Sequence, residues 1–254
     1  LWRRCIAVTG FKACFLGELK KLAVRKKYIV LSVIAAVICV ATMLALGLAN
    51  RLVGTSNISF TVNMPMMVLP MFVSVFVPLV AMMAVCDLFS TEYHSLSIRA
   101  QLMRPVTRFA VYIAKILAPL VLSAIVLAAM FIVAAICSAF GGGADGLLYA
   151  FGAYMIDLIP IFILILMAAF INQLTKSPTS AMFLCIVIYV AAKASGFFSA
   201  AGSNLLFTSY TEWHRIWLGA TLPFGALVAK SALMLGYGIT FFSGCYLLFL
   251  KKEF

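Results

Sequence analysis

An all-α, polytopic membrane protein is the fold class this sequence predicts, and three observations predict it. Hydrophobic residues make up 65% of the 254 residues and charged residues only 10%, whereas a soluble domain carries roughly a quarter charged residues. Uncharged runs such as Tyr28–Ala49, Pro65–Cys86, Ile116–Phe140 and Ser231–Leu250 each reach the about 20 residues that a helix needs to cross a bilayer. The breaks between the runs are short and polar, so no separate globular domain is expected. The layout is one transmembrane domain over residues 1–254: an interfacial helix over 1–27, a six-span bundle over 28–250 and a tail at 251–254.

Leu1–Lys27 reads as an amphipathic helix lying on the membrane surface. Phe11, Phe15, Leu19 and Leu22 recur at helical spacing, and Lys12, Lys20, Lys21 and Arg25 to Lys27 supply a cationic side. The plainer alternative is a disordered basic tail. The segment lacks the apolar core of a secretory signal. Span one is Tyr28–Ala49. Span two, about Met64–Leu88, carries Pro65, Pro70 and Pro78 and is expected to bend, because proline removes a backbone donor from the helix. Phe89–Arg108 is a polar loop. Span three follows to Phe140, with Lys115 and Pro119 near its start. Gly141–Gly146 is a turn. Span four, Leu147–Ile171, is broken by Asp157 and Pro160. Asn172–Thr179 is a short loop and Ser180–Phe198 is span five. Ser199–Pro223 holds Phe207, Tyr210, Trp213 and Trp217, and aromatics of this kind favour the headgroup level. It reads as an interfacial or partly re-entrant segment on the outer side. Span six is about Gly225–Leu250.

Charge placement sets the orientation. Arg3, Arg4, Lys12, Lys20, Lys21, Arg25, Lys26 and Lys27 precede span one. Arg99, Arg104, Arg108, Lys115, Lys176, Lys251 and Lys252 fall on the same side of a six-span layout. The other side keeps Arg51, Lys193, Arg215 and Lys230. Cations are retained in the cytoplasm, so both termini are expected inside. The net charge of +12 therefore reads as facing anionic lipid. Nucleic acid is disfavoured, because no base-reading module accompanies the charge. The seven cysteines lie in apolar runs or in the N-terminal segment, without a C-x-x-C pair, and read as packing residues.

No G-x-x-x-x-G-K-[ST] loop and no H-E-x-x-H occurs, and the only histidines are His94 and His214. No catalytic residue and no metal ligand set is assigned. Span six holds Ala232, Gly236, Thr240 and Gly244 at intervals of four, a spacing that lets helices approach closely. Packing within the subunit is the favoured reading and dimerisation the other. Met64, Met66, Met67, Met71, Met82 and Met83 concentrate around span two, either as lipid-facing filler or as an adaptable apolar surface.

Two features point to a site. Asp157 lies ten positions into span four, about 15 Å from its outer end at 1.5 Å per residue. A carboxylate there is a functional candidate by default. Lys193, about 20 Å up span five from the inner end, is placed to meet it. A structural ion pair, a polar lining of a transport path and a proton relay all stay open. The second feature is the loop after span two. Ser90 or Thr91 can cap a short helix with Glu92 near its positive end, and Pro105 ends it. Such a helix across the membrane face offers a docking surface; the plainer alternative is a solvated connector.

In Glu92, Tyr93, Pro105, Val106, Thr107, Arg108 and Lys115 this loop resembles the motif of ABC-2 type transporter permeases. The run Gly17-Glu18-Leu19-Lys20-Lys21-Leu22 resembles that family's elbow helix, and the ending Phe249-Leu250-Lys251-Lys252-Glu253-Phe254 resembles its last helix. Leu96-Ser97 stands where the family often has Gly-Thr. The resemblance implies the membrane subunit of an ATP-driven exporter, with a separate cytosolic ATPase that binds ATP and magnesium. It implies no cofactor on this chain, and a second permease copy or a related permease as partner. It makes Glu92, Tyr93, His94 and Arg99 candidates for the coupling contact and Pro105, Thr107, Arg108 and Lys115 the family-motif residues. Asp157 and Lys193 are candidates for the substrate path. Short outer loops and sparse polar groups in the spans suit an apolar or amphipathic cargo. Exporters of phenol-soluble modulins, antibiotics or bacteriocins look closest in size. A bacterial plasma membrane is the expected location. The rival reading is an ion-gradient-driven secondary transporter using Asp157. A membrane-embedded enzyme is the third class, and the absence of a His/Asp/Glu cluster in the sequence counts against it.

Overall fold

Backbone amides find no water in a hydrocarbon layer, so a chain this apolar satisfies them within helices. A computed structural model describes residues 2–53, 64–94, 107–140, 146–175, 177–198, 206–219 and 224–251. Among the described residues all regular structure is helical. In chain order α1 is Trp2–Val24, α2 Lys26–Val53, α3 Met64–Met71, α4 Val77–Leu88, α5 Ser90–His94, α6 Arg108–Phe140, α7 Leu147–Ile156, α8 Leu158–Leu174, α9 Pro178–Phe198 and α10 Phe224–Lys251. Five stretches are long and apolar enough to cross a membrane: Pro65–Tyr93, Arg108–Ala139, Leu147–Leu174, Pro178–Gly196 and Leu227–Lys251. The run expected as span one, Tyr28–Ala49, is helical throughout as part of α2. Residues 141–145 of the expected turn and residues 95–106 of the expected loop lie outside the described residues.

The stretch Leu147–Leu174 is the most enclosed, with 67% of its apolar window buried, against 17% for each of the last two stretches. Its α8 half packs against α4, α6, α9 and α10, while α1 and α2 pack on α6. Tyr112 of α6 is fully buried among the rings of Phe242, Tyr246 and Phe249. Its hydroxyl donates to Phe242 O at 2.9 Å, which locks α6 to α10.

The α1 stripe differs in one position from the expectation. Leu22 is buried and Phe15 packs on the core, but Glu18, not Leu19, is the residue buried a turn before Leu22. The reason is electrostatic and is given below.

Span two departs from a regular α-helix between Pro70 and Pro78. Between α3 and α4 the helix widens into a π turn over Phe72–Phe76, with Val77 N–H reaching back to Phe72 O. Pro78 lacks the N–H that would reach Ser74 O in an α-helix. The Tyr189 hydroxyl of α9 donates to that carbonyl at 2.6 Å, so a neighbouring helix supplies the missing donor. Span four also breaks where expected. Asp157 is the joint between α7 and α8, with φ −70° and ψ −8°. Just before α7 Gly146 takes φ 83°, a left-handed value that favours glycine. At the other end of the span α8 runs on to Leu174. Asn172 and Gln173, expected in a loop, are buried helical residues.

The small-residue stripe of the last helix is corrected for most of its length. Ala232, Gly236 and Thr240 are exposed, and a Cβ at Gly236 would meet nothing within 4 Å. Within the stripe only Gly244 is used for close approach, where a Cβ would lie 3.1 Å from Phe170 Cε2.

Tyr189→Phe removes the donor at the π turn and leaves Ser74 O short of a partner. Thermal unfolding in mild detergent is expected to show a loss of about 1–3 kcal/mol, the cost of a buried group left unsatisfied.

Candidate functional site

Two polar assemblies interrupt the apolar bundle, one at each end. The first lies where α1 meets the α4–α5 joint. Phe89 is that joint, with φ −100° and ψ −72°, and helical bonds run on through it: its N–H bonds to Val85 O at 2.9 Å, and Tyr93 N–H bonds to Phe89 O at 3.0 Å. The Thr91 hydroxyl bonds back to Cys86 O at 3.4 Å. Ser90 is no helix cap; its hydroxyl donates to Asn172 Oδ1 of α8 at 2.5 Å.

Four charges close on one another at this joint. Glu92 is 6% exposed, Glu18 1% and Lys115 0%. Lys21 Nζ lies 2.7 Å from Glu92 Oε1 and 3.0 Å from Glu18 Oε1. Lys115 Nζ pairs with Glu92 Oε2 and lies 3.6 Å from Glu18 Oε2. It also donates to Leu88 O at 2.9 Å, a carbonyl in the last turn of α4 where a cation is favoured. Two acids face two lysines, so the cluster is neutral, which is the condition under which charge tolerates burial. This is why Glu18 displaces Leu19 from the inward face of α1. Burial pulls the Lys21 ammonium down, but the hydrogen bond to Glu92 and the charges of Glu18 and Glu92 together hold it above its ordinary value.

The same five-residue helix reaches α8 twice. Besides Ser90–Asn172, the Tyr93 hydroxyl donates to Gln173 Oε1 at 3.0 Å. Asn172 in turn donates to Ala168 O at 2.7 Å. So α5 is tied to α1, α6 and α8 at once. A satellite cluster pins the α1–α2 joint beside it. Asp87, 7% exposed, receives Arg25 Nη1 at 2.9 Å and Lys27 Nζ at 2.5 Å, and the Tyr28 hydroxyl bonds to it as well.

Of the family-motif residues, Lys115 is thus the buried cation of the cluster. Thr107 accepts Ala110 N–H at 3.3 Å and so caps the start of α6. Arg108 Nη1 donates to Leu250 O at 3.5 Å, joining that start to the last turn of α10. Arg99 and Pro105 lie outside the described residues. His94 belongs to α5.

The second assembly sits at the opposite end, and it corrects the expected Asp157–Lys193 pairing. Asp157, fully buried, is taken by His214. The His214 backbone N–H lies 2.8 Å from Oδ1, and Nδ1 lies 2.7 Å from Oδ2. Lys193 instead donates to Thr211 Oγ1 at 2.7 Å and to Ser74 Oγ at 3.4 Å. Ser74 donates to Glu212 Oε1 at 3.2 Å, and Arg215 Nε pairs with Glu212 Oε2 at 2.7 Å. Both span residues therefore hold the same short segment, 206–219, rather than each other. That segment carries a 3-10 turn at Phe207–Tyr210 and a π turn at Arg215–Gly219. Trp213 is buried beneath it and Trp217 is 49% exposed.

Sequence reasoning missed Asp87, Asn172, Gln173 and His214 as site residues. Each carried a signal: a lone acid or amide pair ending an apolar run, and one of only two histidines. The six described cysteines are free thiols. Among the described residues no group of three or more His, Cys, Asp or Glu could hold a metal.

A family model described as ABC-2 family transporter protein matches residues 15–193. That is more than half of the chain, and it takes in α5, the four-charge cluster and Asp157; the chain belongs to this family. It is a permease-type, multi-pass membrane protein of the ABC transporter class. No curated protein matches the chain.

Glu92→Gln removes the carboxylate that both lysines share. Breaking a buried pair from one side costs about 3–5 kcal/mol. The Glu92→Gln/Lys115→Met double variant is expected to lose less than the sum of the two single variants in detergent unfolding. Alkali gives an independent check. The folded Lys21 value lies above the ordinary 10.5, so its stabilisation is complete below that pH and disappears as pH rises through the folded value. Lys21→Met is expected to remove this alkaline loss.

Proposed function

We propose that this chain is the transmembrane permease subunit of an ATP-driven exporter. It has six spans, α2 supplying the first, and both termini lie in the cytoplasm. A separate cytosolic ATPase binds nucleotide and magnesium and carries the catalysis, and this chain holds no catalytic site of its own. Two permeases, identical or related, complete the pathway in a bacterial plasma membrane. The cargo is apolar or amphipathic, as a peptide toxin, bacteriocin or antibiotic is.

The observation that carries this reading is the wiring of α5. A five-residue helix at the α1 end of the bundle is joined by charge to α1 and α6 and by hydrogen bonds to α8. A push on it reaches three elements without passing through a flexible joint. This also refines the expected coupling contact. Glu92 is engaged inside the subunit, so it acts as a relay. Tyr93 likewise bonds inside the subunit through its hydroxyl, so the surface that meets the ATPase is supplied by their neighbours His94 and Arg99. At the far end, the hydrogen bonds of Asp157 and Lys193 to segment 206–219 suit a closure that opens when α7, α8 and α9 shift.

One observation favours the second reading, a secondary transporter driven by an ion gradient. Asp157 and His214 form a buried acid–imidazole pair, a pairing that proton carriers also use.

Affinity isolation from native membranes in mild detergent separates the two. A stoichiometric cytosolic ATPase is expected to accompany the chain, and Asp157→Asn is expected to leave ATP hydrolysis by that complex intact. Transport by the isolated chain under an ion gradient alone, abolished by Asp157→Asn, would give the protein to the second reading.

A further inference from the structure

Between α8, α10 and segment 206–219 lies a cavity of about 610 Å³, lined by none of the charged groups of either polar assembly. Phe162 and Leu166 of α8 form one wall and Met234 and Gly238 of α10 the other, with Trp213 and Trp217 across one end. The volume falls within the roughly 300–1,000 Å³ of pockets that accept small ligands. Two hydroxyls reach the wall, and each is already bonded within its own helix: Ser231 Oγ donates to Leu227 O at 2.9 Å, and Ser243 Oγ to Ile239 O at 2.7 Å. The serine protons are thus already used, and the polar groups left on the described lining are the two hydroxyl oxygens and the indole N–H groups of Trp213 and Trp217 at one end. A peptide backbone entering would leave most of its amides and carbonyls unsatisfied, whereas an alkyl chain needs no partner.

The mouth has a different character. Tyr210 packs edge-on against Trp213, with ring centroids 5.9 Å apart. The Lys230 ammonium stands over the Tyr210 ring, 5.3 Å from its centroid. Arg215 is engaged by Glu212 and Lys193 by Thr211 and Ser74. Among the described residues Lys230 has no carboxylate partner. Tryptophan and tyrosine mark the depth at which a headgroup begins, so a cation in their company faces a headgroup.

We propose that this groove seats one acyl chain of an anionic phospholipid from the leaflet opposite α1, with the lipid phosphate on Lys230. The lipid fills the space between α8 and α10 that the described residues leave open. It binds the same segment that Asp157 and Lys193 hold, and so ties the closure of that segment to the composition of its leaflet. The site does not depend on how transport is powered.

With Trp2 of α1 replaced by phenylalanine, Trp213 and Trp217 are the chain's built-in reporters. The full chain with its co-purified partners is placed in phosphatidylcholine nanodiscs containing brominated phosphatidylglycerol or, in parallel, brominated phosphatidylcholine. Bromine on the acyl chain quenches indole fluorescence on contact. Quenching by phosphatidylglycerol is expected at about fivefold lower mole fraction, the size of one lysine–headgroup attraction. Lys230→Glu is expected to abolish that preference without loss of fold, since Lys230 lies near the start of α10 and forms no ion pair among the described residues. Gly238→Leu, whose new side chain points at Ile163 Cγ1, 4.0 Å from the Cβ position, is expected to weaken quenching by both lipids. Gly236→Leu, two positions away with nothing within 4 Å of its Cβ position, is expected to leave it unchanged. Equal quenching by the two lipids in the chain carrying only Trp2→Phe would overturn the proposal. So would identical behaviour of the two glycine variants, or recovery of fluorescence on adding an amphipathic helical peptide, which would assign the groove to a peptide.

Discussion

The rest of the structure depends on a neutral cluster of four charges, in which Glu18, Glu92 and Lys115 are buried and the exposed Lys21 closes the cluster from the surface of α1. Each charge taken from water carries a penalty that only a well-placed partner offsets. Here three helices must arrive together for the partners to meet: α1 brings Glu18 and Lys21, α5 brings Glu92, and α6 brings Lys115. The cluster therefore specifies an arrangement rather than simply adding stability. It fixes α1 against the bundle and places the last turn of α4 on the Lys115 ammonium.

The far end of the bundle uses a related device with a different outcome. Asp157 sits where α7 gives way to α8, and its carboxylate holds His214 through both the backbone and the ring. Lys193 and Ser74 hold Thr211 and Glu212 of the same segment. These bonds are few, they involve a short irregular stretch, and they draw on three separate spans. A rearrangement of those spans changes all of them together. The α1-end cluster is a rigid joint; the far end is a clasp. On the proposed function, that difference suits a permease driven from one side, with motion imposed at the α1 end delivered to the far end.

Much of this was legible in the sequence, and the exceptions have physical causes. The apolar runs, the irregular turn between Pro70 and Pro78 and the break at Asp157 follow from local rules of length and backbone chemistry, and the helices obey them. The positions Glu92 and Lys115 stand out in the sequence through the resemblance to the family's motif. Their joint burial does not, because it needs Glu18 and Lys21 from a helix more than 70 residues earlier in the chain. The Asp157–Lys193 pairing failed for a similar reason. Helix depth alone puts both in the same layer, but a tertiary contact from segment 206–219 offers each a nearer partner. Polarity places Asn172 and Gln173 in a loop, whereas Ser90 and Tyr93 supply the bonds that keep them helical. The stripe at Ala232, Gly236 and Thr240 obeys its spacing rule yet faces outward, since spacing states that a helix can be approached and not by what.

The central claim is that α5, α1 and the end of α8 move as one body when nucleotide acts on the complex. Double electron–electron resonance measures it directly. Spin labels at Leu16 and Leu174, both exposed at the α1 end, report on the joint. Labels at Leu16 and Leu148, the latter 89% exposed at the far end, report across the bundle. In the complex with its ATPase, ATP and vanadate should leave the first distance unchanged and shift the second. A first distance that shifts or broadens while the second stays fixed would contradict the account.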